Sequence, residues 1–320
     1  MLDHGGNLDS AVHRFGGGLA DWIDLSTGIN RRPYPVRELA PRHWSALPSR
    51  SEIDALHDAA RQAYATHAPV IALAGAQAAI QLLPRLAARG EARILAPTYN
   101  EYAAVLCGAG WWVREVSELG ALAGADLAVV VNPNNPDGRM HEPAALLALL
   151  PRVGRLVVDE SFADVVPGLS LAPQAERPGL LVLRSLGKFY GLAGVRLGFV
   201  LGAQAEIASL AELVGPWPIS GPAIAIGERA LRDRSWAANT IARLAQEAPR
   251  LDAVAQGAGW TLVGGTALFR LYEVGDAGAA LDRLAREKIW SRIFKDRAGW
   301  LRLGLPGDEV EWQRLEAALR

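Results

Sequence analysis

Six short, almost wholly apolar runs constrain this chain more than any other feature: Val70-Ile71-Ala72-Leu73-Ala74, Arg93-Ile94-Leu95-Ala96, Leu127-Ala128-Val129-Val130-Val131, Arg155-Leu156-Val157-Val158, Leu180-Leu181-Val182-Leu183 and Leu197-Gly198-Phe199-Val200-Leu201. A strand with one wet face alternates apolar and polar side chains. These runs do not alternate, as strands covered on both faces of a mainly parallel sheet should not. Between them, residues 76–88, 101–109 and 143–150 carry apolar stripes at helical spacing, which predicts covering helices. The order predicts an α/β sandwich with its helices outside. Upstream, Ser49-Arg50-Ser51-Glu52 predicts a capping box opening a helix whose face holds Ile53, Leu56, Ala60, Ala63 and Tyr64. After Gly215-Pro216-Trp217-Pro218, residues 220–231 and 236–256 read as helices. From Trp260 onward, short strands at 267–271 and 300–303 alternate with helices at 277–287 and 309–319, predicting a smaller α+β domain. The expected division is a large domain at 35–230 and a small one made of 1–34 and 231–320.

Charge narrows the function. With 33 basic and 34 acidic side chains the net charge is -1, so no overall excess points to nucleic acid or to an anionic membrane. The lone cysteine, Cys107, excludes an intrachain disulfide and a thiolate metal cluster and fits a reducing compartment. Residues Met1 to Asn7 carry neither a basic nor an apolar leader region, and no stretch reaches the length of a membrane span. The expected location is the cytoplasm. Lysine occurs only at 188, 288 and 295, so chemistry that needs a deprotonable amine must use one of three positions.

Several common motifs fail. Gly187-Lys188 is followed by Phe189 and lacks the upstream glycine of a phosphate-binding P-loop; no strand leads into G-x-G-x-x-G, and there is no G-x-S-x-G elbow. The six histidines, 4, 13, 43, 57, 67 and 141, never pair on one helical face with a carboxylate, so the expected chemistry is metal-free.

What remains is a set of polar residues just past the strand ends, where open α/β sheets bind ligands. Gly75-Ala76-Gln77 follows the first run and opens a helix: a phosphate cradle or simply a tight turn. Tyr99, past the second run, is a stacking ring or a rim tyrosine. Asn132-Pro133-Asn134-Asn135-Pro136-Asp137-Gly138 follows the third, either as plain turn chemistry or holding an amide at the sheet edge. Asp159-Glu160 ends the fourth; a carboxylate there is ion-paired structurally or neutralises a ligand cation. The fifth run delivers Ser185-Leu186-Gly187-Lys188 and, eight residues after the lysine, Arg196 in a glycine-rich stretch. A phosphate cradle, a ring stacker, a buried acid and an amine are together what pyridoxal phosphate requires: an amine for C4′, a carboxylate for the pyridine nitrogen and an amide for O3′.

On these residues the chain resembles the fold-type I pyridoxal-phosphate enzymes of the aminotransferase class I/II superfamily, over nearly its whole length. The matching motifs are N-P-x-N-P-[DT]-G, then D-E, then S-x-x-K with an arginine eight later. The resemblance implies a large domain with a mainly parallel seven-stranded sheet flanked by helices, and a small α+β domain. By that likeness Lys188 is the Schiff-base lysine, Asp159 partners the pyridine nitrogen, Asn135 binds O3′ and Tyr99 stacks on the ring. Gly75, Ala76, Gln77, Ser185 and Arg196 hold the cofactor phosphate, and Arg302 grips the substrate carboxylate as a bidentate pair.

Two subfamilies resemble the chain most: threonine-phosphate decarboxylases of cobalamin biosynthesis and histidinol-phosphate aminotransferases. His4-Gly5-Gly6-Asn7 and the segment from Asp24 to Asn30 are similar to the decarboxylase start, which implies substrate-binding roles for His4 and Asn30; Arg292 is similar to the arginine that holds the substrate phosphate in both. Phe162 stands where aminotransferases carry a tyrosine that bonds O3′, which favours decarboxylation of phosphothreonine over transamination. A non-catalytic binding relative is the third reading. The chain departs from the pattern at Leu47-Pro48, where the superfamily has Tyr-Pro reaching a neighbouring subunit's cofactor, and at Arg31-Arg32, which are extra phosphate ligands or a solvated basic turn. The resemblance also implies a homodimer, with the Leu47 region near the partner's site.

Overall fold

The structure, a computed structural model, describes residues 5–320 and divides into two compact units: Tyr34–Asn135 with Met140–Ala238, and residues up to Pro33 with Pro136–Arg139 and Asn239–Arg320. The boundaries thus fall at 33/34 and 238/239, beside the 34/35 and 230/231 expected from sequence. The short segment at 136–139 groups with the terminal residues.

The larger unit is built on seven strands: β1 (Val70–Leu73), β2 (Glu91–Leu95), β3 (Trp112–Val116), β4 (Leu127–Val131), β5 (Leu156–Asp159), β6 (Leu180–Ser185) and β7 (Gly198–Gly202), in the order β1-β7-β6-β5-β4-β2-β3. All run the same way except β7, which is antiparallel to both β1 and β6. Every residue of β1, β4, β5, β6 and β7 is buried, the reason their sequences lack alternation. The sequence predicted six strands. The seventh, β3, is the polar edge strand Trp-Val-Arg-Glu-Val with Trp112 at the surface, and an edge covered on one side has no apolar run to betray it.

One face of the sheet packs Leu73, Ile94, Val129, Val157, Leu181 and Leu183 against the helices Ala76–Leu82, Glu101–Gly108 and Gln204–Val214 through Ile80, Tyr102, Leu106 and Leu210. Each such side chain contributes about 1.5–3 kcal/mol on burial. The helix Arg50–Ala63 opens with the expected box: Glu52 N donates to Ser49 Oγ at 3.3 Å and Ser49 N to Glu52 Oε2 at 2.9 Å. The helix expected over 76–88 stops at Leu82 and tightens into a turn at Leu83–Arg85, where Pro84 has no N–H to continue it. The one over 143–150 likewise shortens to Pro143–Leu147. Helix Gln204–Val214 was not expected.

In the other unit, an antiparallel sheet runs Arg292–Phe294, Arg297–Gly304, Phe269–Glu273, Thr261–Thr266 in spatial order. Helices Ala277–Arg286 and Glu309–Leu319 and the unforeseen Leu8–Phe15 accompany it, and Ile23–Asp24 pairs in parallel with Ile289–Trp290. The segment Pro136–Arg139 packs here by close backbone approach: a β-carbon on Gly138 would lie 2.1 Å from Gly265 O, and one on Gly264 2.1 Å from Asp137 O. Arg31 and Arg32 are ion-paired rather than simply solvated, although Arg32 keeps 45% of its side chain exposed. Arg31 is paired with both carboxylate oxygens of Glu311 and Arg32 Nη2 lies 3.3 Å from Glu247, so they tie the N-terminal segment to two helices of this unit. No helix of the described residues is long and apolar enough to cross a membrane.

Candidate active site

The reversal of β7 brings several predicted residues together in the larger unit. Ser185 is the register partner of Gly198 on one side, and Leu73 is its partner on the other, so the end of β1, the end of β6 and the start of β7 lie side by side. A β-carbon on Gly198 would sit 2.5 Å from Ala76 N and 2.8 Å from Gly75 C, so glycine is what admits the start of helix Ala76–Leu82 against the sheet. Gly75 is in the left-handed region (φ +84) and carries the Arg196 guanidinium directly on its backbone; a β-carbon there would meet Arg196 Nη2 at 2.8 Å. Arg196 itself has φ 55 and ψ 58, an uncommon conformation for arginine that occurs where surroundings impose it. The first N–H groups of a helix have no partner inside it. Gly75 N is taken by Leu73 O at 2.6 Å, so it is Ala76 and Gln77 that present backbone donors beside the Arg196 cation and Ser185, whose Oγ accepts from Gly187 N at 3.1 Å.

Lys188 lies in the loop between β6 and β7. It is half-buried, and its Nζ stands 5.7 Å from the ring centroid of the buried Phe162. The loop closes on itself through Gly191 N to Lys188 O at 3.1 Å, and Tyr34 N reaches Tyr190 O at 2.9 Å.

Asp159 ends β5 with 4% of its surface exposed. Among the described residues it forms no ion pair. Its Oδ2 instead accepts from Tyr102 Oη at 2.7 Å, and its Oδ1 from Ser161 N at 2.9 Å and Ser161 Oγ at 2.6 Å. Its neighbour Glu160 takes the structural role: successive residues point to opposite faces, and there Arg184 pairs with Glu160 at 2.9 Å and Asp164 at 2.7 Å, its guanidinium 4.2 Å from the Tyr64 ring. Burial pushes the Glu160 and Asp164 carboxyls up, against the pull of Arg184.

Tyr99 packs edge-on to Tyr102, with centroids 6.4 Å apart, and its hydroxyl donates to Gln77 Oε1 at 3.3 Å. Burial, with the nearby charges of Glu101 and Asp159, pushes its phenol up to about 12. The Gln77 amide donates to Glu101 at 2.7 Å. Of the asparagine run, Asn132 exchanges two hydrogen bonds with the His141 backbone, and Asn134 bridges Pro97 O and Thr98 Oγ1, joining the ends of β4 and β2. Asn135 follows in the turn, half-buried.

The remaining predicted residues belong to the other unit, apart from His4, which lies outside the described residues. Arg302 is buried; its Nη2 donates to Ser26 O at 2.7 Å, and its guanidinium lies 5.2 Å from the Phe269 ring. Arg292 is its direct cross-strand partner. Burial, then the positive Arg292, push the Arg302 pKa down to about 9, with Asp24 pulling the other way. Asn30 Oδ1 accepts from Arg32 N at 3.0 Å and Arg243 Nη2 at 2.9 Å. Sequence reasoning missed Tyr102, Ser161 and Arg184. Tyr102 follows Tyr99 at a one-turn helical spacing and Ser161 follows Asp159 at the spacing of an Asx turn; both signals were available.

The chain belongs to the aminotransferase class I and II family, whose model matches residues 49–319. Its fold is that of the fold-type I enzymes. It is 46% identical to the threonine-phosphate decarboxylase of Pseudomonas aeruginosa, with 100% of this chain and 97% of that one covered. Against the protein of the same name from Sinorhizobium sp it is 44% identical, covering 99% and 97%. A histidinol-phosphate aminotransferase of Mycobacterium tuberculosis is 35% identical, covering 92% and 88%. Among solved structures it superposes on histidinol-phosphate aminotransferase from Sinorhizobium meliloti in complex with pyridoxal-5'-phosphate (TM-score 0.82, 20% identity, 99% and 94% covered). It also superposes on L-threonine-O-3-phosphate decarboxylase from Porphyromonas gingivalis (TM-score 0.74, 18% identity, 92% and 97% covered).

Proposed function

We propose that this protein is a pyridoxal-phosphate-dependent lyase that decarboxylates L-threonine O-3-phosphate to (R)-1-amino-2-propanol O-2-phosphate, a step of cobalamin biosynthesis. The observation that carries the cofactor is Asp159: a buried carboxylate held by three neutral donors, on the sheet edge that also carries Lys188, is relieved by a cationic ring N–H. The cradle fits a phosphate. It combines a guanidinium, a serine hydroxyl and backbone donors, brought together because Gly75 and Gly198 carry no β-carbon to push the Arg196 guanidinium and the helix start away. The substrate reading rests on the 44–46% identity to threonine-phosphate decarboxylases over the whole chain, and on Phe162, which has no hydroxyl to offer the cofactor.

Gly75, Ala76, Gln77, Ser185 and Arg196 would hold the phosphate, Tyr99 the ring face, Asn135 the phenolic oxygen and Asp159 the ring nitrogen. Bound cofactor supplies a conjugated ring that accepts the electrons of the bond being broken. Arg302 and Arg292, adjacent cations on the small-unit sheet, are assigned to the substrate's carboxylate and phosphate, and Asn30 and His4 take substrate-binding roles by the family resemblance alone. The Cα–carboxylate bond breaks, carbon dioxide leaves, and Lys188 delivers a proton to Cα. Two partners in a homodimer belong to the same reading: Val36, Trp44 and Leu47 lie at the surface within one stretch of chain, 50%, 70% and 67% exposed, which a second subunit would cover. A cytoplasmic setting keeps the exposed Cys107 reduced.

Purified protein incubated with phosphothreonine should release carbon dioxide. Glutamate from histidinol phosphate and 2-oxoglutarate, without carbon dioxide from phosphothreonine, would replace this reading by transamination. A cofactor absorbance band that Lys188→Ala abolishes separates either from a non-catalytic relative.

A further inference from the structure

We infer that Tyr102 and Ser161 are positioning residues that fix the Asp159 carboxylate and so set how firmly the cofactor's ring nitrogen keeps its proton; the inference rests on the pyridoxal-phosphate reading above. A core tyrosine does not need its hydroxyl to pack, since phenylalanine fills nearly the same space. Yet the fully buried Tyr102 aims its hydroxyl at Asp159 Oδ2, 2.7 Å away and 57 residues distant in sequence. Ser161 supplies both its backbone N–H and its Oγ to the other oxygen. An ionised carboxylate offers about four acceptor positions. Two are taken on Oδ1 and one on Oδ2, which leaves a single position, on Oδ2, in a carboxylate whose rotation is locked from two separate elements.

Burial and the adjacent Asp159 push the Tyr102 phenol well above its ordinary range, so it remains a donor throughout the working pH. Tyr99, whose phenol feels Glu101, Asp159 and Arg196, is a further titratable group packed against this pair. Donors to the charged form spread its charge and weaken it as a proton acceptor. Removing one makes the carboxylate more basic and draws the proton away from the ring nitrogen, so the ring withdraws electrons less strongly and the loaded protein's visible band titrates at higher pH.

The test is Tyr102→Phe and Ser161→Ala in protein loaded with pyridoxal phosphate. Cofactor affinity, far-UV circular dichroism, the pH midpoint of the visible band, and kcat and KM for phosphothreonine are read on each. In both variants the midpoint should rise by about half a unit or more, and kcat should fall about tenfold with KM changed about twofold or less, because bonds to charged groups are the stronger kind. Ser161→Thr should restore both. An unchanged midpoint in a folded, loaded Tyr102→Phe or Ser161→Ala overturns the inference and leaves the function standing. Failure of the wild-type protein to bind pyridoxal phosphate overturns the function instead. If Tyr102→Phe does not fold, Ser161→Ala carries the same test.

Discussion

Arg292 and Arg302 are direct cross-strand partners on an antiparallel pair, two like charges where such neighbours ordinarily repel. Burial first, and the neighbouring Arg292 second, push Arg302 down to about 9. A base whose folded pKa is lowered binds fewer protons folded than unfolded between about 9 and its ordinary value. Stability rises with pH across that window, and below it the buried charge costs in full. An anion opposite the pair offsets the cost, so in protein loaded with pyridoxal phosphate, whose own phosphate occupies the Arg196 cradle, inorganic phosphate at millimolar concentration should raise Tm near neutral pH, less so well above pH 9, and little in Arg292→Gln. The same variant should raise KM for phosphothreonine on the order of 10- to 100-fold. A phosphate effect on Tm of the loaded protein that survives Arg292→Gln would move the anion site elsewhere.

Gly198→Ala tests the cradle. The added carbon meets backbone on three sides, Ala76 N at 2.5 Å, Gly75 C at 2.8 Å and Arg184 O at 2.9 Å, none of which can swing away. The expected cost is about 1–3 kcal/mol of stability. Cofactor affinity should fall about tenfold or more as the helix start is displaced. Titration of pyridoxal phosphate against the apo variant, with Tm alongside, reads both.

Lys188→Arg should fold and lose turnover altogether. Arginine keeps the positive charge beside Phe162 but stays protonated, so it neither bonds the cofactor aldehyde nor passes a proton to Cα. Residual carbon dioxide release above background would point to another amine.

The Arg184 pairs are structural. Arg184→Met strands Glu160 and Asp164 in the interior, at an expected cost of about 3–5 kcal/mol. Both carboxyls already have raised pKa values through burial, so their favourable contribution is present at low pH and is lost as pH rises through those values. Chemical denaturation should therefore find the variant closer to wild type near pH 5 than near pH 8. Equal loss at both would show the carboxylates to be solvated.

Much of this could be read from the chain because strands buried on both faces leave no polar alternation and because turn residues mark where they end. Lys188 stood out through the scarcity of lysine. What stayed hidden depends on distance in sequence or on neighbours. Strand β3 is too polar to show as a run, and the antiparallel direction of β7 leaves no trace in its composition. Arg184 sits inside an apparently apolar strand and makes sense only once Glu160 and Asp164 are folded around it. The bond from Tyr102 to Asp159 requires a helix and a strand end to meet. Arg31 and Arg32 looked like a basic turn because their acids lie more than two hundred residues away.

The opposite heading of β7 decides where the chain spends its length. With every strand aligned, the link from β6 to the next would have to travel back under the sheet, and only its first residues would stay near the ligand edge. Because β7 returns antiparallel, residues 186–197 depart from and re-enter the same rim, so one short excursion delivers both the amine and the guanidinium. Insertions tolerated elsewhere on the surface would here change the spacing between those two cations directly.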